Sequence, residues 1–411
     1  MLLNLSKNIV IYGGTNALKS LVPLIILPIL TLHLSPTEFG ELSLIETLIL
    51  FLTPFILINV NVTISVEFFK LDKEELKKYI SDALFLTFIS YVLSSVILWY
   101  LSDFFSNSFS IDKSYLLLLP TFCFLRVAVI VTLTIFQSAQ KPLKFFYLNL
   151  FQTLIDISLT IVFVSLLSYG LTGRLFGIYI GFFMTSLISL FLLGKHGYLC
   201  WPALKFTRRI FAFSLPLIPH VLSASLIALS GRLFISKFCS NEDVGLYSVA
   251  YQIASVMLLV SLSINQAWSP FLFGLLKKNN FKSAVVYSVY LFASFFIMAL
   301  VIFSLKDVLY YIFVNKAFYN SKQVFPILLI ALFFQSVYFL ISNFLFFEKK
   351  TKQLALITTS GAGLNLILNY FLIGRYGVMG IAYSSVLTWF CFMASVAVYT
   401  YRVYCNKKVV Y

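Results

Sequence analysis

The nine residues Ser35 to Ser43, SPTEFGELS, return 205 positions later as Ser240 to Ser248, SNEDVGLYS, with Ser, acid, Gly and Ser in matching places. A second set follows in the same order, Tyr169, Gly170 and Gly173 returning 207 positions later as Tyr376, Gly377 and Gly380. Two matches in one order at nearly one offset predict a module duplicated head to tail. The surroundings of both copies are almost continuously apolar. With 60% hydrophobic residues, 11% charged ones and a mean hydropathy of +0.96, the chain cannot be a water-soluble domain.

Windows of about 20 apolar residues can be laid out twelve times: 9–33, 39–63, 80–101, 115–136, 145–168, 175–193, 211–234, 244–266, 284–304, 324–346, 353–373 and 379–401. Helices of this length satisfy their own backbone in lipid, and the dyad alternation of a membrane barrel is absent. The expected fold is an all-α integral membrane protein of about twelve transmembrane helices. Six helices per repeat return the chain to the side it started from, so two six-helix lobes related by a pseudo-twofold axis along the membrane normal are expected. Residues 1–193 form the first lobe and 210–411 the second. The basic segment 194–209, with Lys195, His196, Lys205, Arg208 and Arg209, is the linker between them.

Orientation follows from the 30 Lys and Arg. Twenty lie in the termini and the even-numbered loops, from Lys7 and the Lys70, Lys73, Lys77, Lys78 group through to Arg402, Lys407 and Lys408. The opposite loops hold eight: Lys113, Arg174, Arg232, Lys237, Lys306, Lys316, Lys322 and Arg375. Both termini are therefore expected in the cytoplasm. The net charge of +15 expresses topology and contact with anionic membrane lipids, and no nucleic acid partner is expected. The first apolar run is too long for a signal-peptide core and reads as a retained helix. The five Cys form no disulfide framework or metal pattern, and no cofactor is expected.

Chemistry must then sit among the helices. The fifth span carries Asn149, Gln152, Thr153, Asp156 and Thr160 along one helical stripe, the eleventh carries Thr358, Asn365 and Asn369, and the eighth carries Gln252, Ser255, Ser263 and Gln266. The first span adds Asn16, Lys19 and Ser20. Such stripes either join helices or line a wet cavity. Ionisable groups within spans cost about 2.5 to 3.5 kcal/mol each at mid-membrane, and they are few: Lys19, Glu46, Arg126, Asp156 and the titratable His220. Arg126 and Asp156 are placed to pair at equal depth. Two readings stand: a structural ion pair, or a cationic floor of Lys19 and Arg126 for an anionic substrate, with Asp156 holding Arg126 or exchanging with cargo. Glu46 is the candidate partner of Lys19. Coupling or gating falls to Glu46, Asp156 and His220, and to Pro23 and Pro28, which interrupt the first helix; Pro216 and Pro219 do the same near the start of the seventh.

The segment FSLPLIP at 213–219, then Gly231, Arg232 and Phe234, VGLYSVAY at 244–251, AWSP at 267–270 and NLILNYFLIGRYGVMG at 365–380 resemble the polysaccharide-transport family, the O-antigen and capsule repeat-unit flippases of the MOP exporter superfamily. The resemblance spans the chain and is most specific from about residue 210 onward. One departure is Gly231, where an acid often precedes the arginine. The resemblance implies a V-shaped pair of lobes, alternating access, and a cargo of undecaprenyl pyrophosphate-linked oligosaccharide carried from the inner to the outer leaflet of the bacterial inner membrane. It also implies a polysaccharide polymerase and a chain-length regulator as partners, in capsule or lipopolysaccharide O-antigen biosynthesis. Lys19 and Arg126 would meet the pyrophosphate, and Asn16, Gln152, Asn365 and Asn369 with the Ser and Thr of the stripes would meet sugars.

Two rivals remain. A multidrug or cation antiporter of the same superfamily shares the fold but needs acids where the first span offers Lys19. An integral-membrane polysaccharide polymerase or acyltransferase needs a large outer loop or a His and Asp cluster. The longest outer loop runs only from about Leu305 to Gln323, and His33, His196 and His220 form no such cluster.

Overall fold

The computed structural model describes residues 2–215 and 218–408. No strand occurs among them. Helices α1 (Leu2–His33), α2 (Pro36–Leu57), α3 (Val60–Glu67), α4 (Lys73–Phe109), α5 (Lys113–Ser138), α6 (Pro142–Thr160) and α7 (Gly170–Lys195) lead to the short α8 (Thr207–Ser214). They are followed by α9 (Ile218–Phe238), α10 (Asn241–Ala254), α11 (Val256–Lys277), α12 (Phe281–Ser304), α13 (Lys306–Phe313), α14 (Phe325–Phe347), α15 (Thr351–Tyr376) and α16 (Val378–Lys408). Among the described residues, eleven stretches are long and apolar enough to cross a membrane, α10 and α11 counting as one through Ser255. The remaining expected window, 211–234, falls on α8 and α9, and part of it lies outside the described residues. The protein is an all-α, multi-pass membrane protein.

The repeated sequences have local physical causes. Ser35 and Ser240 open α2 and α10 as N-caps: the Ser35 hydroxyl accepts from the Glu38 amide at 3.2 Å while the Ser35 amide donates to Glu38 Oε2 at 2.9 Å. The Ser240 hydroxyl accepts from the Asp243 amide at 3.1 Å and donates to Asp243 Oδ2 at 2.8 Å. Both satisfy amides that a helix start leaves orphaned. The glycines that follow let two backbones touch. A β-carbon on Gly40 would collide with the Asn241 carbonyl, and one on Gly245 with the Pro36 carbonyl, so the contact is reciprocal between repeat-related positions. The second repeated set makes a turn. Gly170 and Gly377 take φ of +53° and +55°, and Gly173 and Gly380 then press on the carbonyls of Phe163 and Leu372.

Contacts group the chain into two compact units. One is Met1–Val22 with Glu41–Leu229, the other Pro23–Gly40 with Ser230–Tyr411. Helix α1 thus changes unit at Pro23, the first of the two prolines inside it. The reason lies in what its second half touches. Gln252 donates to the Pro23 carbonyl, Thr31 Oγ1 accepts from the Asn315 amide at 3.2 Å, and the Phe39 ring meets the edge of Phe318 at 5.6 Å.

The segment expected as a linker, 194–209, is pinned to the first unit. Asp82 on α4 is fully buried; its Oδ1 accepts from the Ala203 and Leu204 amides at 2.8 Å each, and its Oδ2 from Phe206 at 3.0 Å. Beside it, Lys205 pairs with Glu75 at 3.2 Å and Arg209 with Glu67. Helix α8 then sets Ile210 and Ser214 inward. The second unit is built round α14, which packs on α10, α11, α12 and α16.

Candidate functional site

Helix α6 carries the polar stripe of the first unit and meets α1 at Asn149 and Thr153. Lys19 sits in a small cavity lined by Thr15 and Leu18 of α1 and by Phe146, Asn149, Leu150 and Thr153 of α6. Thr15, Asn149 and Thr153 are buried there, and the Asn149 and Gln152 side-chain oxygens are enclosed without a hydrogen-bond partner. An unused acceptor, Asn149 Oδ1, beside an ammonium in a low-dielectric wall is a feature a polar ligand can complete. Arg126 of α5 lies close enough for its charge to act on Lys19, and its guanidinium lies over the Phe182 ring of α7, 5.3 Å from the centroid. Among the described residues, neither Lys19 nor Arg126 has a carboxylate within ion-pair distance. The side chain of Asn16 lies outside the described set.

The expected pairing of Arg126 with Asp156 is not what the structure contains. Asp156 Oδ1 accepts from Arg174 Nη1 at 2.6 Å, and the same nitrogen donates to Thr160 Oγ1 at 2.6 Å. Thr160 in turn donates to the Asp156 carbonyl at 2.6 Å, and Glu46 Oε1 lies 3.8 Å from Arg174 Nη2. Arg174 is 7% exposed. By sequence it falls in an outer loop, because the apolar window begins at residue 175. The helix begins earlier, at the Gly170 turn, which carries Arg174 inward on its first full turn. The repeated Tyr-Gly turn was the sequence signal that could have located it. Next to this cluster, α6 ends in a π-helical stretch, Ile161–Leu166. Such turns often mark functional positions.

In the second unit the polar stripe joins helices. Asn365 Oδ1 accepts from Ser230 and from Asn369, each at 3.1 Å, while its amide donates to Ser384 and Thr388 at 3.2 and 3.0 Å. Asn369 also donates to Ser230 at 3.1 Å, and both asparagines are 1% exposed. This network ties α9, α15 and α16. Arg232 donates from Nε to Ser248 at 3.2 Å and lies over the Tyr251 ring at 5.4 Å. Pro23 and Pro28 both lie inside α1. The expected roles of His220, Pro216 and Pro219 fall on positions outside the described side chains. No group of metal-binding residues occurs among the described residues.

The family model for polysaccharide biosynthesis proteins matches residues 5–276, and the MatE model matches residues 216–371. Lsg locus putative protein 1 of Haemophilus influenzae is 26% identical over 372 residues, covering 85% of this chain and 86% of its own. Two solved structures share the fold. A multidrug resistance MATE family transporter of the MOP superfamily in its inward-facing conformation superposes with a TM-score of 0.78 at 15% identity, over 95% of this chain and 96% of that one. The lipid II flippase MurJ, inward closed, gives 0.74 at 14% identity, over 94% and 86%.

Proposed function

This chain belongs to the polysaccharide biosynthesis protein family of MOP-superfamily membrane transporters, and on that footing we propose that it is a flippase for an undecaprenyl pyrophosphate-linked oligosaccharide. It carries a repeat unit of O-antigen or capsule from the cytoplasmic to the periplasmic leaflet by alternating access, in the bacterial inner membrane with both termini cytoplasmic. The unit so delivered is the substrate of a polysaccharide polymerase and its chain-length regulator. One observation carries the reading: the Lys19 cavity and the adjacent Arg126 hold two cations with no ion-paired carboxylate among the described residues. In a low-dielectric wall such a pair favours a diphosphate strongly. The enclosed acceptors of Asn149 and Gln152 add hydrogen bonds for sugar hydroxyls. An inside-negative potential also assists outward movement of an anion, by about 2.3 kcal/mol per charge per 100 mV.

A cation antiporter would need free acids in the same wall. Asp156 is instead held by Arg174, and Glu46 faces the same guanidinium. The lipid II flippase with which this chain shares its fold is a precedent for lipid-linked cargo on such a scaffold. The test is Lys19→Ala and Arg126→Ala in the native host: surface polysaccharide should be lost while the protein remains inserted at normal level. Normal surface polysaccharide in both variants would remove the cationic-cavity mechanism.

A further inference from the structure

The basic end of the first unit holds two kinds of lysine and arginine. Lys205 and Arg209 are neutralised by Glu75 and Glu67. Lys73, Lys141, Lys144 and Lys195 have no ion pair with any carboxylate among the described residues. Of the acids close in sequence to Lys73, Asp72 caps α4 through the Glu75 amide, Glu75 is held by Lys205, and Glu74 makes no ion pair with these lysines.

Two of these lysines meet the turn at His196 and Gly197. Lys144 Nζ lies 2.9 Å from His196 Nε2, and His196 Nδ1 lies 2.7 Å from the Leu192 carbonyl. A carbonyl only accepts, so Nδ1 carries the ring proton and Nε2 accepts from the ammonium. On the other side, Lys73 Nζ comes within 4.0 Å of the place a β-carbon would occupy on Gly197, the next residue. Lys141 precedes α6 and Lys195 ends α7, so they bracket the pair in sequence; no side chain caps the α6 N-terminus. Helix α6 leads from here to the cavity. Asn149 and Thr153 stand five and nine residues beyond Lys144, about 7 and 13 Å along the axis.

An ammonium resting on an imidazole, with further cations around it and no acid between them, is the arrangement an oxyanion would complete. We propose that Lys144 and His196, supported by Lys73, form a phosphate-recognition site at the entrance of the first unit, taking the diphosphate or phosphodiester of a lipid headgroup before it reaches Lys19. A phosphate presents adjacent oxygens. It would insert between Nζ and Nε2 and accept from both, with one proton taken up from the buffered medium so that the ring carries N–H at both nitrogens. Lys195 and Lys141, next to the site in sequence, carry further positive charge at this end of α6 and α7. The proposal rests on the flippase reading only for the origin of the ligand.

The chain has three histidines, so the nitrogen-15 resonances of the imidazoles can be assigned by loss in His196→Gln. The full-length protein in neutral phosphatidylcholine nanodiscs is titrated with inorganic pyrophosphate, and in parallel placed in nanodiscs containing phosphatidylglycerol. The expected result is that His196 Nε2 moves from the bare-nitrogen to the N–H range in at least one arm. Lys144→Gln should weaken the apparent affinity about tenfold, the loss of one charge-assisted hydrogen bond, while His33→Gln leaves it unchanged. A response to pyrophosphate alone supports a cargo diphosphate, and one to phosphatidylglycerol supports a bilayer headgroup. If His196 responds to neither, or responds equally in Lys144→Gln, the site does not exist. Because the readout is binding, this result stands apart from whether the protein exports polysaccharide.

Discussion

Replacing Asp156 with Asn would take the close counter-charge from the Arg174 guanidinium, which is 7% exposed, and leave it neutral acceptors and the more distant Glu46. Removing one partner of a buried pair costs about 3 to 5 kcal/mol. Here the Asp156 side chain keeps 24% of its exposure and Glu46 remains 3.8 Å away, so about 2 kcal/mol is the reasoned loss in unfolding free energy. Arg174→Gln should cost about as much or less, since it strips a partly exposed carboxylate of its cation. The double variant should then cost less than the two losses added, by about 2 kcal/mol, because the second change removes a charge the first had stranded. The same cycle run on Asp156 with Arg126→Gln should be additive within about 0.5 kcal/mol, as expected for groups that share no contact. The assay is reversible chemical unfolding of the purified variants in one lipid environment, followed by intrinsic fluorescence. Coupling of Asp156 to Arg126 as large as its coupling to Arg174 would refute the assignment of the ion pair.

Two further outcomes follow from the packing. Asp82→Ala should leave three backbone amides of residues 203–206 unsatisfied, cost about 3 kcal/mol or more, and expose the Gly197 to Phe206 segment to limited proteolysis; unchanged cleavage would show that Asp82 does not pin it. Gly40→Ala and Gly245→Ala should each destabilise by about 1 to 3 kcal/mol, because a methyl group at either position meets a backbone carbonyl. Their effects in the double variant should fall short of the sum, since both sit in one reciprocal contact; full additivity would argue against that contact.

The spans were legible because lipid demands long apolar helices, and the eleven found among the described residues lie on the windows that composition marks out. The duplicated Ser-x-x-acid and Tyr-Gly motifs were legible as repeats, yet their causes, paired N-caps and left-handed glycine turns, needed the backbone. Arg174 was missed because a hydropathy window rejects a charge near its edge, whereas the helix starts where the Gly170 turn ends. Asp156 stood out in the sequence as an acid inside a span that needs a cation, but the nearest cation in a drawn topology was not the nearest in space. The Asn365 and Asn369 stripe left packing and cavity lining open. Their hydrogen bonds to Ser230, Ser384 and Thr388 depend on which helices meet, and that long-range information is absent from helical periodicity. The 194–209 segment has the composition of a basic linker. A single buried acid 121 or more residues away, Asp82, holds it down.

The claim that this transporter flips a lipid-linked oligosaccharide is tested most directly by deleting its gene in the native host and assaying lipid-linked intermediates on each face of the membrane. Completed single repeat units trapped on the cytoplasmic leaflet, with surface polysaccharide lost and restored by the intact gene, are the predicted result. Single units that reach the outer leaflet and fail only to polymerise would contradict it.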